Sequence, residues 1–205
     1  MRILRTLLAS VVLLAVGGVA LGVLTDGYAA FTSESARRLR VRTQLPQMPA
    51  VALETQAGER IDLTDLRGRW LVVDFIYTRC QSYCLALGAE FVQLQEQLAA
   101  SLASGQVLLL SVSFDPQHDT PQQLTRYLHR FGDRHQGWMA ARPASVDDLQ
   151  RIKQAFGIIV ISDGLGGYEH NAGLQIVDPQ GRLVRILDPG EGGRIPGLLF
   201  PDARK

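Results

Sequence analysis

Apolar and polar positions along the chain follow two periods that meet near residue 80. The run Trp70–Ile76 is almost continuously apolar, as expected of a strand buried within a sheet. Downstream, apolar side chains recur at the three- and four-residue spacing of one helix face, at Leu87, Phe91, Leu94, Leu98 and Leu102. Ser104-Gly105 is a typical stop for such a helix. The pattern therefore predicts a buried strand that turns directly into a helix ending near Ala103.

The rest of the chain predicts an α/β layered domain around this strand and helix. Ala50–Glu54 and Arg60–Leu63 alternate about Ala57-Gly58, as in an N-terminal β-hairpin. The later predicted elements are a buried strand at Gln106–Phe114, a helix from Pro121 to Gly132, a short strand at Trp138–Ala141, a helix from Ser145 to Gly157, a short strand at Ile158–Ile161, and a closing hairpin of Leu174–Val177 and Arg182–Leu187. Ser162–Glu169 holds three glycines and is predicted to be a flexible loop. This order of elements favours a mixed central β-sheet flanked by helices.

The N-terminus is set apart by its own pattern. Arg2 and Arg5 precede Leu7–Leu24, 18 residues without charge, a length just sufficient to span a bilayer. We predict a signal anchor or transmembrane helix over residues 1–25 with the following domain exported, and cleavage after Ala29 is the alternative. The other predicted units are a polar tether at 26–48, the folded domain at 49–190 and a loose C-terminal tail at 191–205.

Charge is distributed unevenly between these units. Residues 1–45 carry six arginines against two acidic residues, whereas residues 46–205 carry 15 basic and 18 acidic side chains. The predicted folded domain is therefore mildly acidic and has no basic stripe, which disfavours a nucleic-acid partner.

The chain has two cysteines, Cys80 and Cys84, and both lie where the predicted strand turns into the helix. Free amide groups and the helix dipole favour a thiolate at that position. A thiolate is both a nucleophile and a soft metal ligand. An inert structural disulfide is a further possibility in an exported domain, although closing so short a loop contributes little stability.

Four motifs occur together in chain order. They are Leu71–Cys80 (LVVDFIYTRC) followed by Cys84, Asp115-Pro116 with Asp119-Thr120-Pro121, Tyr168-Glu169-His170-Asn171, and Val177-Asp178-Pro179-Gln180-Gly181. Over residues 45–188 the chain resembles the Sco/SenC family of copper-binding assembly proteins for cytochrome c oxidase, within the thioredoxin superfamily. The resemblance implies a thioredoxin-like fold. The family often has proline after each cysteine, where this chain has Gln81 and Leu85.

The resemblance also implies a copper site, for Cu(I) and/or Cu(II), formed by Cys80, Cys84 and His170. The implied recipient is the copper-site subunit of cytochrome c oxidase, and a thiol reductase or another copper chaperone is a possible second partner. The implied location is the bacterial inner membrane, with a single N-terminal span and the domain facing the periplasm.

This donor set agrees with copper chemistry. Soft sulfur favours Cu(I), and an imidazole nitrogen makes Cu(II) acceptable. A structural zinc site usually takes four protein ligands, and the chain has no third cysteine. Three ligands leave a position open for a recipient's ligand, which favours a membrane-tethered metallochaperone over an enzyme.

The alternative hypothesis is an enzyme that reduces the cysteines of the recipient copper site. Cys80 and Cys84 could form a redox disulfide, which cannot hold copper as two thiolates do. Thioredoxin-type reductases carry a cis-proline opposite the cysteine pair, but the chain has no proline between Pro143 and Pro179. This disfavours general disulfide exchange while leaving a dedicated partner reaction open. Thr78-Arg79 beside Cys80 is only a weak match to the setting of a peroxidase cysteine, so peroxidase chemistry is disfavoured.

Other polar residues have competing interpretations. Asp74 is either a satisfied buried carboxylate or a proton acceptor near Cys84. Asp115 and Asp119 are expected to cap the second helix and shape the rim, with partner docking as an alternative. The remaining histidines are expected to be solvated, namely His118, His129 and His135.

Overall fold

The structure, a computed structural model, describes residues 2–25, 27–80, 83–132 and 136–201. It divides into two compact units, Met1–Gln44 and Leu45–Lys205. The first contains helices α1 (Arg2–Leu24) and α2 (Ser33–Gln44). By length and composition, α1 is sufficient to cross a membrane. The division into anchor, tether and domain stays a prediction.

The predicted tether, residues 26–48, contains more structure than its polar composition suggests. Its helix α2 is supported by Glu34, whose carboxylate pairs with Arg37 and Arg38 at 2.8 Å, three and four residues along one face. In the second unit, Met48 is buried and donates its amide to Gly181 O at 2.8 Å. The end of the predicted tether therefore packs on the folded domain.

The second unit is built on a seven-stranded mixed sheet in the order β2-β1-β5-β4-β3-β8-β9. The strands are β1 (Ala52–Thr55), β2 (Arg60–Asp62), β3 (Trp70–Ile76), β4 (Val107–Ser113), β5 (Trp138–Pro143), β8 (Leu174–Val177) and β9 (Leu183–Leu187). The β3–β4 and β4–β5 pairs are parallel, and the other neighbours are antiparallel. The predicted mixed sheet and N-terminal hairpin are confirmed. Parallel pairing brings the carboxyl ends of β3 and β4 to one edge.

The helices of this unit are α3 (Tyr83–Gln97), α4 (Ala99–Ala103), α5 (Pro121–His129), α6 (Val146–Phe156) and α7 (Ile195–Leu199), and short 3-10 turns occupy Leu63–Leu66 and Gly192–Arg194. The predicted helix after the cysteines is thus interrupted at Leu98, which leaves helical geometry at φ −110° and ψ 16°. Helix α6 begins at Ser145, whose hydroxyl accepts the Asp148 amide, and ends at Gly157 in the left-handed conformation, φ 65°.

Residues 162–169, predicted to be a flexible loop, instead close a small hairpin. Strands β6 (Val160–Ser162) and β7 (Tyr168–His170) pair antiparallel as a separate two-stranded sheet. Asp163 Oδ1 accepts the amides of Leu165 at 2.7 Å and Gly167 at 2.9 Å. This side chain folds the glycine-rich segment into a defined turn and places His170 on a strand.

The expected loose tail is packed over part of its length. Ile195 and Leu199 of α7 are buried. Glu90 on α3 accepts the backbone amides of Gly190 at 2.6 Å and Gly192 at 2.9 Å. Within the predicted tail, residues 192–199 are therefore helical and partly buried, and the Glu90 carboxylate, about 100 residues earlier in the chain, accepts the amides of the turn that leads into them.

Candidate functional site

Cys80 and Cys84 lie at the edge of the sheet, between β3 and α3. The two cysteines form no disulfide, and both are buried. The Cys80 amide donates to Tyr77 O at 3.0 Å, which forms the turn after β3. Cys84 lies in the first turn of α3, and its thiol shares a hydrogen bond with the Cys80 side chain. The two sulfurs are therefore neighbours, as their spacing predicts.

The expected low-pKa thiolate is wrong for Cys84. The hydrogen bond with Cys80 raises the pKa of the Cys84 thiol strongly, and burial raises it further. The charges of Cys80 and Asp74 act in the same direction. The helix terminus favours a thiolate, but desolvation and the adjacent acidic groups outweigh the effect of the helix dipole on the Cys84 pKa. A metal cation at the sulfurs would reverse this balance, because it stabilises thiolates.

His170 lies at the end of β7, with its ring centroid 4.9 Å from that of Phe114. Its Nδ1 and Nε2 atoms are both buried and have no hydrogen-bond partner among the described residues. Burial lowers the pKa of His170, and the charge of Cys80 opposes that change. An imidazole kept neutral, with two unpaired nitrogens, is prepared to bind a metal or a proton donor.

The three predicted ligands are neighbours, but they are not gathered into a finished metal site. His170 interacts electrostatically with Cys80, which in turn contacts Cys84. Within the described ranges, no group of three His, Cys, Asp or Glu side chains is placed to hold one ion. Of the two departures from the family pattern, Gln81 lies outside the described residues and Leu85 lies in α3.

Asp119 has a role that sequence reasoning missed. It is fully buried and accepts three hydrogen bonds, from Thr78 N at 3.0 Å, Thr78 Oγ1 at 2.6 Å and Ser113 Oγ at 2.6 Å. Burial raises the pKa of Asp119, while these donors oppose the rise. The expected capping of the second helix is made instead by Thr120, whose hydroxyl accepts the Gln123 amide. Asp119 fixes the turn that precedes Cys80.

Asp115 forms the neighbouring contact on the rim. Its carboxylate binds Arg79 Nη2 at 2.8 Å and His118 Nδ1 at 2.8 Å. Arg79 immediately precedes Cys80, so this partly exposed ion pair holds the cysteine turn beside the segment after β4. His118 and His129 are exposed, as expected, and His135 lies outside the described residues.

Asp74 is buried in the centre of β3, opposite Ser111 of β4. Neither carboxylate oxygen makes a hydrogen bond of normal geometry to the described residues. Burial raises the pKa of Asp74 to about 7, against the opposing effect of the Ser111 hydroxyl. Asp74 also interacts with Cys84, and its role as a proton acceptor stays a prediction.

The chain is similar to known proteins in sequence and in fold. Residues 44–195 match the family model SCO1/SenC. A Stutzerimonas stutzeri protein, whose name describes it provisionally as copper-binding, is 27% identical over 187 residues, 89% of this chain and 88% of its own.

Two solved structures have the same fold. One is BsSco, a member of the Sco family of cytochrome c oxidase assembly proteins in which a disulfide switch has been identified. Its TM-score is 0.66 at 22% identity, and the match covers 76% of this chain and 92% of BsSco. Bradyrhizobium japonicum ScoI with copper bound has a TM-score of 0.61 at 20% identity and covers 73% of this chain and 96% of its own. The predicted thioredoxin-like fold is confirmed.

Proposed function

Because the chain belongs to the SCO1/SenC family, we propose that it is a membrane-tethered copper metallochaperone that binds copper through Cys80, Cys84 and His170. One observation carries the proposal: both ring nitrogens of the half-buried His170 are shielded from solvent without a hydrogen-bond partner among the described residues, next to two cysteines that form no disulfide. Buried polar atoms in native proteins normally have hydrogen-bond or metal partners, so a bound metal ion would explain why these two nitrogens have none among the described residues.

The residues fit copper chemically. Two sulfurs suit Cu(I), and the imidazole extends the site to Cu(II). The Stutzerimonas relative, named provisionally for copper binding, supports the same metal. Loading requires reduced cysteines and releases their protons, because the metal ligand is the thiolate.

Assembly of the three ligands requires a small rearrangement. His170 lies on the β6–β7 hairpin, which is a sheet separate from the seven-stranded one. We assign the closure to this hairpin, which brings the imidazole to the sulfurs when the ion enters. Binding then supplies the partners that the ring nitrogens lack.

The expected setting follows from α1 and from the family. In this proposal α1, which is long and apolar enough to cross a membrane, anchors the chain in the bacterial inner membrane, and the domain faces the periplasm. The recipient is the copper-site subunit of cytochrome c oxidase, in keeping with the description of the BsSco family. Three protein ligands leave the ion open to that subunit. A thiol reductase or another copper chaperone prepares or loads the site.

A second function, reduction of the recipient's cysteines, is favoured by one observation. Cys80 and Cys84 form no disulfide and are hydrogen-bonded to each other, and Asp74 interacts with Cys84. Such a pair can close to a disulfide while a partner disulfide is reduced. Catalytic reduction of the recipient that persists unchanged in His170→Ala would favour this function over copper delivery.

Copper titration of the reduced unit of residues 45–205 tests the proposal. We expect one copper per chain, and loss of tight binding in Cys80→Ser, Cys84→Ser and His170→Ala. His118→Ala is the matched control, because that ring is exposed and bonded to Asp115. Equal copper uptake with and without His170 would contradict the three-ligand site.

A further inference from the structure

The side chain of Tyr77 lies between the cysteine turn and the strand that carries His170. Tyr77 directly follows β3, and its carbonyl accepts the Cys80 amide at 3.0 Å. Its hydroxyl oxygen lies 3.4 Å from Tyr168 N and 3.5 Å from Tyr168 O. Tyr77 therefore contacts the cysteine turn through its backbone and the histidine strand through its hydroxyl.

Ring contacts strengthen this connection. The Tyr77 ring centroid lies 5.3 Å from that of Tyr168, edge to face, and 5.5 Å from that of Phe114. Phe114 in turn contacts the ring of His170. Because Tyr168 and His170 are two residues apart on β7, their side chains point to the same face. Tyr77 and Phe114 thus support the strand from which the imidazole projects.

The absence of a side chain at Gly167 leaves room for the hydroxyl. A Cβ added there would lie 3.3 Å from the Tyr77 hydroxyl oxygen and 2.4 Å from Asp163 Oδ2. The turn of the β6–β7 hairpin is therefore shaped so that the Tyr168 peptide can approach Tyr77.

The same hydroxyl meets the sulfurs. The Tyr77 hydroxyl forms a side-chain hydrogen bond with Cys80. A hydroxyl has one proton to donate, so Tyr168 O and the Cys80 sulfur compete for it. The 3.5 Å contact to the carbonyl is long, whereas hydrogen bonds to ionised acceptors are the stronger class. A thiolate at Cys80 is therefore the preferred acceptor.

We propose that Tyr77 is a positioning residue of the metal site, whose hydroxyl donates to the Cys80 sulfur and whose contact with Tyr168 keeps the His170 strand beside the cysteine turn. This inference rests on the proposed copper function and assigns the residue that connects its ligands. A hydrogen bond withdraws electron density from a thiolate, which makes the sulfur a weaker donor to Cu(II) and favours Cu(I).

The test compares Tyr77→Phe, which keeps the ring and removes the hydroxyl, with wild type in the full chain in detergent. Tyr168→Phe is the matched control, since it removes a hydroxyl of the same aromatic cluster and keeps the peptide groups that Tyr77 contacts. In the metal-free chain, the Tyr168 amide should exchange with solvent about fivefold faster in Tyr77→Phe, as expected for the loss of one ordinary hydrogen bond. In the copper-loaded chain, the sulfur-to-copper absorption should move to longer wavelength and the reduction potential should fall.

The outcomes separate this inference from the function on which it rests. Copper uptake by Tyr77→Phe with wild-type amide exchange, absorption and potential would overturn the role of Tyr77 and leave the chaperone intact. The same spectral shift in Tyr168→Phe would also overturn it, because the effect would then belong to the aromatic cluster. A wild-type chain that takes up no copper would overturn both.

Discussion

The buried carboxylate of Asp74 makes a sharp prediction about stability. Its pKa in the folded chain is about 7, against 3.8 for an ordinary aspartate, because burial disfavours the ionised form. Between these values the unfolded chain releases the proton and the folded chain keeps it. The free energy of unfolding therefore falls as pH rises, by about 1.4 kcal/mol per pH unit. Above pH 7 both states are ionised and the loss is complete.

The Asp74→Asn variant removes this titration. From the two pKa values, Asp74 costs the wild type roughly 3 kcal/mol of stability between pH 5 and pH 8. The buried amide of asparagine adds its own cost, but that cost does not depend on pH. We therefore expect the stability of Asp74→Asn to fall less between these two pH values than that of the wild type.

Urea unfolding of the reduced, metal-free unit of residues 45–205 at pH 5 and pH 8 measures this difference. Glu59→Gln is the control, since it removes one carboxylate from an exposed position in the β1–β2 turn. The control should reproduce the wild-type pH dependence. Parallel behaviour of wild type and Asp74→Asn would refute the assignment of a buried carboxyl that takes up a proton near neutral pH.

Three further predictions concern the cysteine turn and its support. Asp119→Ala leaves three buried donors without their acceptor, and we expect the free energy of unfolding, measured by thermal unfolding, to fall by about 1 to 3 kcal/mol. Asp119→Asn should lose less. An unchanged melting temperature in Asp119→Ala would contradict the role of Asp119 in fixing the cysteine turn. Gly88→Ala places a Cβ 2.1 Å from the Phe131 ring, so it should lower the free energy of unfolding by about 1 to 3 kcal/mol, as measured by thermal unfolding. Adding Phe131→Leu to the same chain should restore part of that stability. Oxidation to the Cys80–Cys84 disulfide should abolish copper uptake until reductant is added; uptake by the oxidised chain would count against thiolate ligation.

Continuous apolar runs in the sequence are sufficient to predict the two central strands. Trp70–Ile76 is a strand over the predicted range, and the next apolar run forms β4. Both are buried on two faces, so their composition alone distinguishes them from surface segments. The closing hairpin was equally accessible, because a strong turn sequence separates its two short apolar strands.

Features that depend on particular side-chain contacts and on burial have no signal in the hydrophobic pattern. The strand β7 follows a glycine-rich segment, and the Asp163 side chain, rather than any periodicity, defines its turn. Asp119 was assigned to the nearby helix, yet its partner Thr78 lies 41 residues earlier. The acidity of Cys84 was misjudged because local position does not report burial or an adjacent thiol.

The candidate site was predicted as a set of residues and not as an arrangement. The family resemblance implies Cys80, Cys84 and His170 as the ligands, and the structure makes them neighbours without bringing all three to one point among the described residues. Neither the unpaired imidazole nitrogens nor the contact of Tyr77 with Tyr168 has a sequence pattern of its own. Both arise where the separate hairpin meets the cysteine turn.

X-ray absorption of the copper-loaded, reduced chain tests the central claim most directly, because it counts the atoms bound to the metal. The account predicts two sulfur scatterers and one imidazole nitrogen, with the nitrogen contribution lost in His170→Ala and one sulfur lost in each cysteine variant. A copper ion surrounded by nitrogen and oxygen only, or an imidazole contribution that persists without His170, would contradict it.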